Sequence, residues 1–327
     1  MPLINLDQVD AVAHILSTVR QRIYQYADSF SDPKFYPPPG SDRYTIVKYF
    51  VVMVAMDHRL YRPGRSYEAV IDGMKLFGAD LLYYLGARKL EEDPDFFEAK
   101  NLAKVSVDDV IKWLSVGDAR PPDPDIRAFL LRDLGVKLLV LYRGDYLEMI
   151  DRCEGYIRRM QGYGYTDTLR IFRAFEDPVE KKIMLLLKFL ERRGVIEIKD
   201  SPNKRVPVDN HLTRIALRLG IVELEPYLLR KVTSFDSIEY HEDIVIRTCV
   251  KEAWDLVAKR AGIDPFILDD ALWTFGRCIC LDPYPRCENC KDHPLCHNGK
   301  CVFIDVCREK ALRRGIRDLN YFDTWYY

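Results

Sequence analysis

A chain of 327 residues is long enough for two domains of ordinary size or for one large domain. Hydrophobic residues make up 48% of the sequence and charged residues 30%, a balance that argues against intrinsic disorder and predicts a packed globular protein. The 49 Lys and Arg residues are matched by 50 Asp and Glu residues, so the net charge of −1 gives no general attraction to nucleic acid, and a polyanion would need a local basic patch.

The start of the chain predicts no targeting signal. It lacks a basic start followed by an apolar block and a small-residue cleavage site. The longest apolar stretches, residues 49–56 and 183–190, are far shorter than the roughly 20 residues that span a bilayer. We therefore expect a cytoplasmic protein, monomeric and without a membrane partner.

Helical periodicity runs along almost the whole chain and predicts an all-α fold. Gly135 and Gly262 are expected to end two of the helices. Residues 195–199 are the only candidate for a strand. The predicted helices cover residues 12–26, 44–56, 67–85, 107–114, 123–134, 145–161, 178–193, 209–219, 242–261, 265–277 and 302–314.

Seven of the nine cysteines lie between Cys278 and Cys307, and such clustering favours a metal or cluster site over a scattered disulfide framework. Four of them have the spacing C-x6-C-x2-C-x5-C, and we predict that they hold a four-iron, four-sulfur cluster: Cys280, Cys287, Cys290 and Cys296. Zinc is the main competitor, although zinc sites usually pair two C-x-x-C knuckles and this loop has one. A disulfide, or a shifted ligand set that uses Cys278 or Cys301, stays open. Cys307 is left as a buried thiol or a disulfide partner.

The string LDDALWTFGRCICLDPYPRCENCKDHPLC resembles the iron–sulfur loop of the endonuclease III and adenine-mismatch DNA glycosylases, in which a helix ends just before the same four cysteines. The resemblance covers about thirty residues. It implies the helix-hairpin-helix glycosylase superfamily, whose fold is two helical domains with a cleft between them. We accordingly place a helical barrel at residues 46–200 and an iron–sulfur cluster domain at residues 1–45 plus 201–327.

The segment VPVDNHLTRIALRLGIVE is similar to the superfamily's Val-Asp-x-His stretch, and the resemblance implies that Asp209 is the catalytic carboxylate. Such a carboxylate stabilises positive charge on the sugar or activates water. Asp209 also sits where a helix N-cap is expected. His211 is a candidate for substrate binding, with local hydrogen bonding as the simpler interpretation. Arg214 and Arg218 share a helix face, which predicts a solvated surface or, alternatively, a phosphate contact.

The superfamily's Gly-x-Gly hairpin, which grips DNA phosphates, is missing. The corresponding stretch is FEDPVEKKIMLLLKFLERRG, where Asp177-Pro178 predicts an ordinary helix start. Lys182 or Lys181 stands roughly where the bifunctional enzymes have a Schiff-base lysine, and the alternative is a solvated lysine on an amphipathic helix.

The order of segments is also similar to that of the queuosine-5′-phosphate N-glycosidase family, which resembles a glycosylase fold turned to a free nucleotide. The similarity includes GRSYEAVIDGMKLFGADLLYYLG, DPVEKKIMLLLKFL and the Asp209 segment. Polar residues interrupt the apolar pattern at residues 54–70, where a solvated helix end is one interpretation and where His58 and Arg59 are candidates for reading a base or a phosphate. Trp273 is a further candidate for substrate binding.

Three functions follow as hypotheses. The first is a DNA glycosylase of the base-excision type, with or without lyase activity, that flips a damaged base. The second is an N-glycosidase acting on a modified nucleoside or nucleotide. The third is a non-catalytic, iron–sulfur nucleic-acid-binding protein.

Overall fold

Fifteen α-helices, three short 3-10 helices and eight very short strands make up the secondary structure in the computed structural model, which describes residues 1–327. The protein is therefore of the all-α class. None of its helices is both long and apolar enough to cross a membrane. The chain divides into two compact units, one of Met1–Asp28 with Lys204–Asp323 and one of Ser29–Asn203 with Thr324–Tyr327.

The first unit is built from an N-terminal segment and a C-terminal segment of the sequence. Its helices and strands are β1 (Leu3–Ile4), α1 (Leu6–Thr18), α2 (Arg20–Tyr26), α11 (Asn210–Leu219), β6 (Val222–Glu223), α12 (Pro226–Ser234), α13 (Tyr240–Ala261), α14 (Pro265–Cys278), β7 (Cys296–His297), β8 (Lys300–Cys301) and α15 (Arg308–Leu312). Strands β1 and β6 pair antiparallel, and α1 packs along α13. The buried Trp254 of α13 donates its indole N–H to the Leu212 carbonyl at 3.1 Å, which ties α13 to α11.

The second unit is built around one buried helix. Its elements are α3 (Arg43–Ala55), β2 (Tyr61–Arg62), β3 (Arg65–Ser66), β4 (Glu68–Ile71), β5 (Met74–Phe77), α4 (Ala79–Glu92), α5 (Ala99–Leu102), α6 (Val107–Leu114), α7 (Pro124–Tyr142), α8 (Tyr146–Asp151), α9 (Tyr165–Leu169) and α10 (Lys181–Arg192). Helix α3 is buried on all sides from Ile46 to Ala55 and packs against α10, α7 and α8, as expected of a largely hydrophobic helix in a core. Phe50 of α3 stacks on Phe189 of α10 with ring centroids 4.8 Å apart.

Residues 67–85 do not form the single helix that their spacing predicts. Strands β4 and β5 pair as a hairpin, and α4 begins only at Ala79. The turn is Asp72-Gly73, and both residues have positive φ (51° and 77°), the backbone that an Asp-Gly hairpin turn needs. The helix prediction is wrong because this dipeptide outweighs the helical spacing of the flanking apolar residues.

Gly135 does not end a helix, contrary to prediction, because α7 continues through it to Tyr142. A Cβ at position 135 would lie 2.4 Å from the backbone nitrogen of Ala103, so the glycine permits close approach of α5 to α7. The helix ends at Arg143, which takes the left-handed conformation. Gly262 does end α13, as predicted.

Other predicted elements are shorter or absent. The helix predicted at 145–161 ends at Asp151, because Glu154 and Gly155 both have positive φ. The helix predicted at 302–314 is confined to α15, because the preceding residues turn back and Val302 donates to the Leu295 carbonyl. Residues 195–199 form no strand.

Candidate active site and cysteine loop

Asp209 is the N-cap of α11. The buried Val206 and Val208 bring the chain to the helix in extended conformation, and Oδ1 of Asp209 accepts the Leu212 amide at 2.9 Å. The other carboxylate oxygen, Oδ2, accepts no hydrogen bond from the protein, and the residue is partly exposed. One oxygen is thus fixed while the second is available to a ligand.

His211 and Trp273 lie together near this helix start. Their rings are 6.5 Å apart in an edge-to-face arrangement, and the Arg277 guanidinium lies 4.5 Å from the Trp273 ring centroid. Burial lowers the pKa of His211. Its Nδ1 lies 3.1 Å from Nη2 of Arg214, which can only donate, so the neutral ring carries its proton on Nε2. The first unit therefore holds a carboxylate, a neutral imidazole and an indole in one region.

The predicted solvated face at Arg214 and Arg218 is wrong, and neither side chain is open to a phosphate. Both side chains are almost fully buried. Arg214 forms an ion pair with Asp318 and donates to the Cys280 carbonyl at 2.9 Å. Arg218 donates to the carbonyls of Leu281 and Ile316 at 2.7 and 2.9 Å. Hydrogen bonds from the two arginines hold the start of the cysteine loop against α11.

Lys181 and Lys182, in the second unit, are buried at the start of α10, so the alternative of a solvated lysine on this helix does not hold. Lys182 Nζ donates to the Ala55 carbonyl at 2.8 Å, and Lys181 Nζ donates to the Asp57 carbonyl at 3.2 Å. Burial, reinforced by the charge of Lys181, holds the pKa of Lys182 well below its ordinary value. A lowered lysine pKa is one of the conditions that a Schiff-base lysine requires.

The helix start predicted at Asp177-Pro178 is displaced, since α10 begins at Lys181 after Glu180 in the left-handed conformation. Asp177 is fully buried and accepts the backbone amides of Lys181 and Lys182 at 2.8 and 3.3 Å. Burial raises the pKa of Asp177 to about 6. The first amides of α10 are therefore already bound by a side chain of the protein.

His58 and Arg59 follow the end of α3. His58 is buried, its Nδ1 faces the guanidinium of Arg127 at 3.4 Å, and its Nε2 has no hydrogen-bond partner. Burial, followed by the charge of Arg127, lowers the pKa of His58 well below its ordinary value. The Arg59 amide donates to the Tyr327 carbonyl at 2.5 Å. The structure places His58 beside the buried lysines of the second unit.

Arg127 is a member of this group that the sequence reasoning missed. It is fully buried in α7 and donates to the carbonyls of Met56 and Pro122. Arg127 lies on the same side of α7 as the buried Leu131 and Leu134, four and seven residues further on. This spacing indicates that the arginine faces the core.

The cysteine loop separates into two sets of sulfur atoms. Cys290 and Cys296 form a disulfide. Four free thiols line a small cavity of about 20 Å³ together with Arg218 and Phe275: Cys280, Cys287, Cys301 and Cys307. The Cys301 thiol hydrogen-bonds to Cys287, and this bond lowers the pKa of Cys287 below its ordinary value. Cys278 is exposed.

A cluster held by Cys280, Cys287, Cys290 and Cys296 does not fit this arrangement. A disulfide consumes two of the four thiolates that the cluster would need, and the other two face a cavity shared with Cys301 and Cys307. The hairpin β7–β8 produces this placement, because it brings Cys301 back beside the loop. Its turn, Asn298-Gly299, has positive φ at both residues, and the Asn-Gly dipeptide is a signal that the sequence reasoning missed.

Comparison of the sequence with protein-family models finds no match, and comparison with curated proteins finds none either.

Proposed function

We propose that the protein is an N-glycosidase that uses Asp209 to release the base of a modified nucleoside or nucleotide. The proposal is carried by the carboxylate at the start of α11, of which Oδ1 is fixed by the Leu212 amide while Oδ2 is left unbonded. An N-cap alone needs one oxygen. The second oxygen, on a partly exposed side chain, can face the sugar of a substrate.

The reaction is the hydrolysis of a carbon–nitrogen bond. As the bond between C1′ and the base breaks, its electron pair leaves with the base nitrogen, and positive charge develops on the sugar. The Asp209 carboxylate stabilises that charge and accepts a proton from the water whose oxygen bonds to C1′. Trp273 offers an indole face for a base, and the proton on His211 Nε2 is a donor for a polar atom of the substrate.

The choice of a small substrate is supported by the start of α10. Hairpin glycosylases hold DNA phosphates with free backbone amides, whereas here Asp177 takes the amides of Lys181 and Lys182. A carboxylate at that position also repels a phosphate. Residues 308–317 are rich in Lys and Arg, and three of these side chains already have acidic partners: Lys310 pairs with Glu288, Arg314 with Glu309 and Arg317 with Asp282.

A DNA glycosylase is the second candidate, and the observation that favours it is the spacing C-x6-C-x2-C-x5-C. In that function Asp209 would keep its role, and Lys182 would be the nucleophile of a lyase step only after its Nζ had left the Ala55 carbonyl.

The variant Asp209→Asn tests the catalytic assignment without removing the helix cap, because Asn and Asp cap equally well. Free-base release from a panel of modified nucleosides, nucleotides and damaged-base duplexes should fall by about 100-fold or more. The unfolding free energy should barely change. Asp145→Asn, at the N-cap of α8, is the matched control and should leave base release unchanged.

Full activity in Asp209→Asn would exclude the carboxylate from the chemistry. The panel also decides the substrate: release from duplexes only, with duplex binding that weakens steeply as salt is added, would replace the small substrate by DNA. Absence of release from every substrate would favour a non-catalytic protein.

A further inference from the structure

The cavity beside the cysteine loop is walled by thiols and apolar groups. Apart from the four free thiols of Cys280, Cys287, Cys301 and Cys307, its wall includes Ile215, Phe275 and Phe303. All four sulfur atoms face a partly or fully buried region of the first unit. Such a dry, sulfur-rich cavity suits a cofactor that thiolates hold.

Backbone hydrogen bonds fix where these cysteines lie. The Cys301 amide donates to the Cys287 carbonyl at 2.8 Å, which joins the hairpin β7–β8 to the loop that starts after α14. The Cys307 amide donates to the Phe303 carbonyl at 2.8 Å, and its sulfur lies 3.5 Å from the carbonyl oxygen of Arg218. Residues 301–307 therefore belong to the same folded loop as Cys280 and Cys287.

Positive charge lies next to the thiols. Nη1 of Arg218 is 3.4 Å from the sulfur of Cys280, and Lys310 also lines the cavity. A cluster with four thiolates carries net negative charge, and buried negative charge is stabilised by neighbouring cations. Arg218 cannot turn toward solvent, because the Ile316 and Leu281 carbonyls hold its guanidinium.

We propose that Cys280, Cys287, Cys301 and Cys307 hold the four-iron, four-sulfur cluster, and that Cys290 and Cys296 form a structural disulfide. The first two cysteines of the C-x6-C-x2-C-x5-C spacing keep their role, and two cysteines further along the chain replace the others. Zinc would need all of its ligands to converge on a single ion. A cubane instead takes its four thiolates on four separate irons around a cavity. This assignment of the cluster ligands does not depend on the catalytic role proposed for Asp209.

The first experiment uses the wild-type chain and needs no variant. The protein is purified without oxygen or added thiol, and iron, sulfide and visible absorbance are measured per chain. The same sample is then denatured in acid, alkylated and digested for mass spectrometry. Cluster-loaded protein should yield a Cys290–Cys296 crosslinked peptide, with alkylation at Cys280, Cys287, Cys301 and Cys307. Loaded protein with alkylated Cys290 and Cys296 would overturn the proposal, as would protein that contains no iron.

Variants supply the second experiment. Cys301→Ser and Cys307→Ser should each lower bound iron by about tenfold or more. The double variant Cys290→Ser with Cys296→Ser should keep its iron, and so should Cys278→Ser at the exposed thiol. The opposite pattern would restore the ligand set that the spacing alone predicts. Base release in these variants is measured separately, because loss of activity in Asp209→Asn with a full cluster concerns the proposed function and not the ligands.

Discussion

Nζ of Lys182 lies 2.8 Å from the carbonyl oxygen of Ala55, the last residue of α3. Lys181 and Arg127 bind the carbonyls of Asp57 and Met56, which follow directly. The last carbonyls of a helix have no partner within the helix, and the partial negative charge at its C-terminus attracts cations. Three buried basic side chains thus complete the end of a buried helix, and these contacts explain their burial without a catalytic role.

We expect that Lys182 forms no Schiff base. Borohydride added to the protein with an abasic-site duplex should trap no covalent adduct, because Nζ is buried and bonded to Ala55. An adduct that disappears in Lys182→Arg would contradict this expectation and would support a lyase. Lys182→Met should lower the unfolding free energy by about 1–3 kcal/mol, since a buried carbonyl loses its partner. The exposed Lys100→Met is the control.

Acid should weaken the first unit through His293. Burial lowers the pKa of His293 to about 4 from an ordinary value of 6.5. Its Nδ1 accepts the Leu295 amide at 3.1 Å, and its Nε2 lies 2.9 Å from the Thr274 hydroxyl. As the pH falls below 6.5 the unfolded chain binds a proton that the folded protein refuses, so stability falls until about pH 4.

The size of this effect is of the order of 3 kcal/mol, at about 1.4 kcal/mol per pH unit. It is measured as the difference in unfolding free energy between the wild type and His293→Asn at each pH from 7 to about 4. Asn keeps an acceptor for the Leu295 amide but does not titrate. Parallel curves for the two proteins would show that His293 does not contribute.

Gly276→Ala should damage the candidate active site. A Cβ at position 276 would lie 2.6 Å from Cβ of His211, so His211 must move and its contact with Arg214 is disturbed. Although Ala favours a helix over Gly, the clash should dominate and cost about 1–3 kcal/mol of stability. Base release should fall in the protein that remains folded. Cys278→Ala, exposed in the same helix, should leave both quantities unchanged.

Gly135→Ala should destabilise the second unit, because the added Cβ would meet backbone atoms of Ala103 and Ala99 at 2.4 and 2.7 Å. Backbone cannot move aside as a flexible side chain can, so we expect a loss of about 1–3 kcal/mol or more in denaturant unfolding. Val136→Ala, half exposed on the same helix, is the control. An unchanged midpoint for Gly135→Ala would mean that α5 and α7 are not in close contact.

Local signals were enough to predict part of this structure. The Asp209 cap and the Gly262 stop each depend on residues within one turn of the helix end, and the structure has both. The hairpin at Asp72-Gly73 also has a local signal in this dipeptide, but the spacing of the apolar residues around it is that of a helix. These features are determined by short stretches of chain, and a sequence shows them directly.

Other features depend on residues far apart in the chain. Burial of Lys182 depends on Ala55, 127 residues away, and the paired lysines have the same local pattern as a solvated surface. Gly135 serves a neighbouring helix and not its own end. In the cysteine loop the spacing predicts a cofactor site, whereas the placement of the thiols depends on a hairpin that brings Cys301 beside the loop. Tertiary contacts decide each of these cases.

The pairing of β1 with β6 has a consequence for synthesis of the protein. Leu3 lies opposite Glu223, and α1 packs on α13, so the first unit lacks its core until more than 220 residues have been made. Ser29–Asn203 of the second unit leave the ribosome well before that point. The apolar face of α1 is therefore exposed on the nascent chain until α13 has been synthesised, and Ser29–Asn203 emerge in the meantime. In a growing polypeptide this amphipathic N-terminal helix is a natural target for a chaperone.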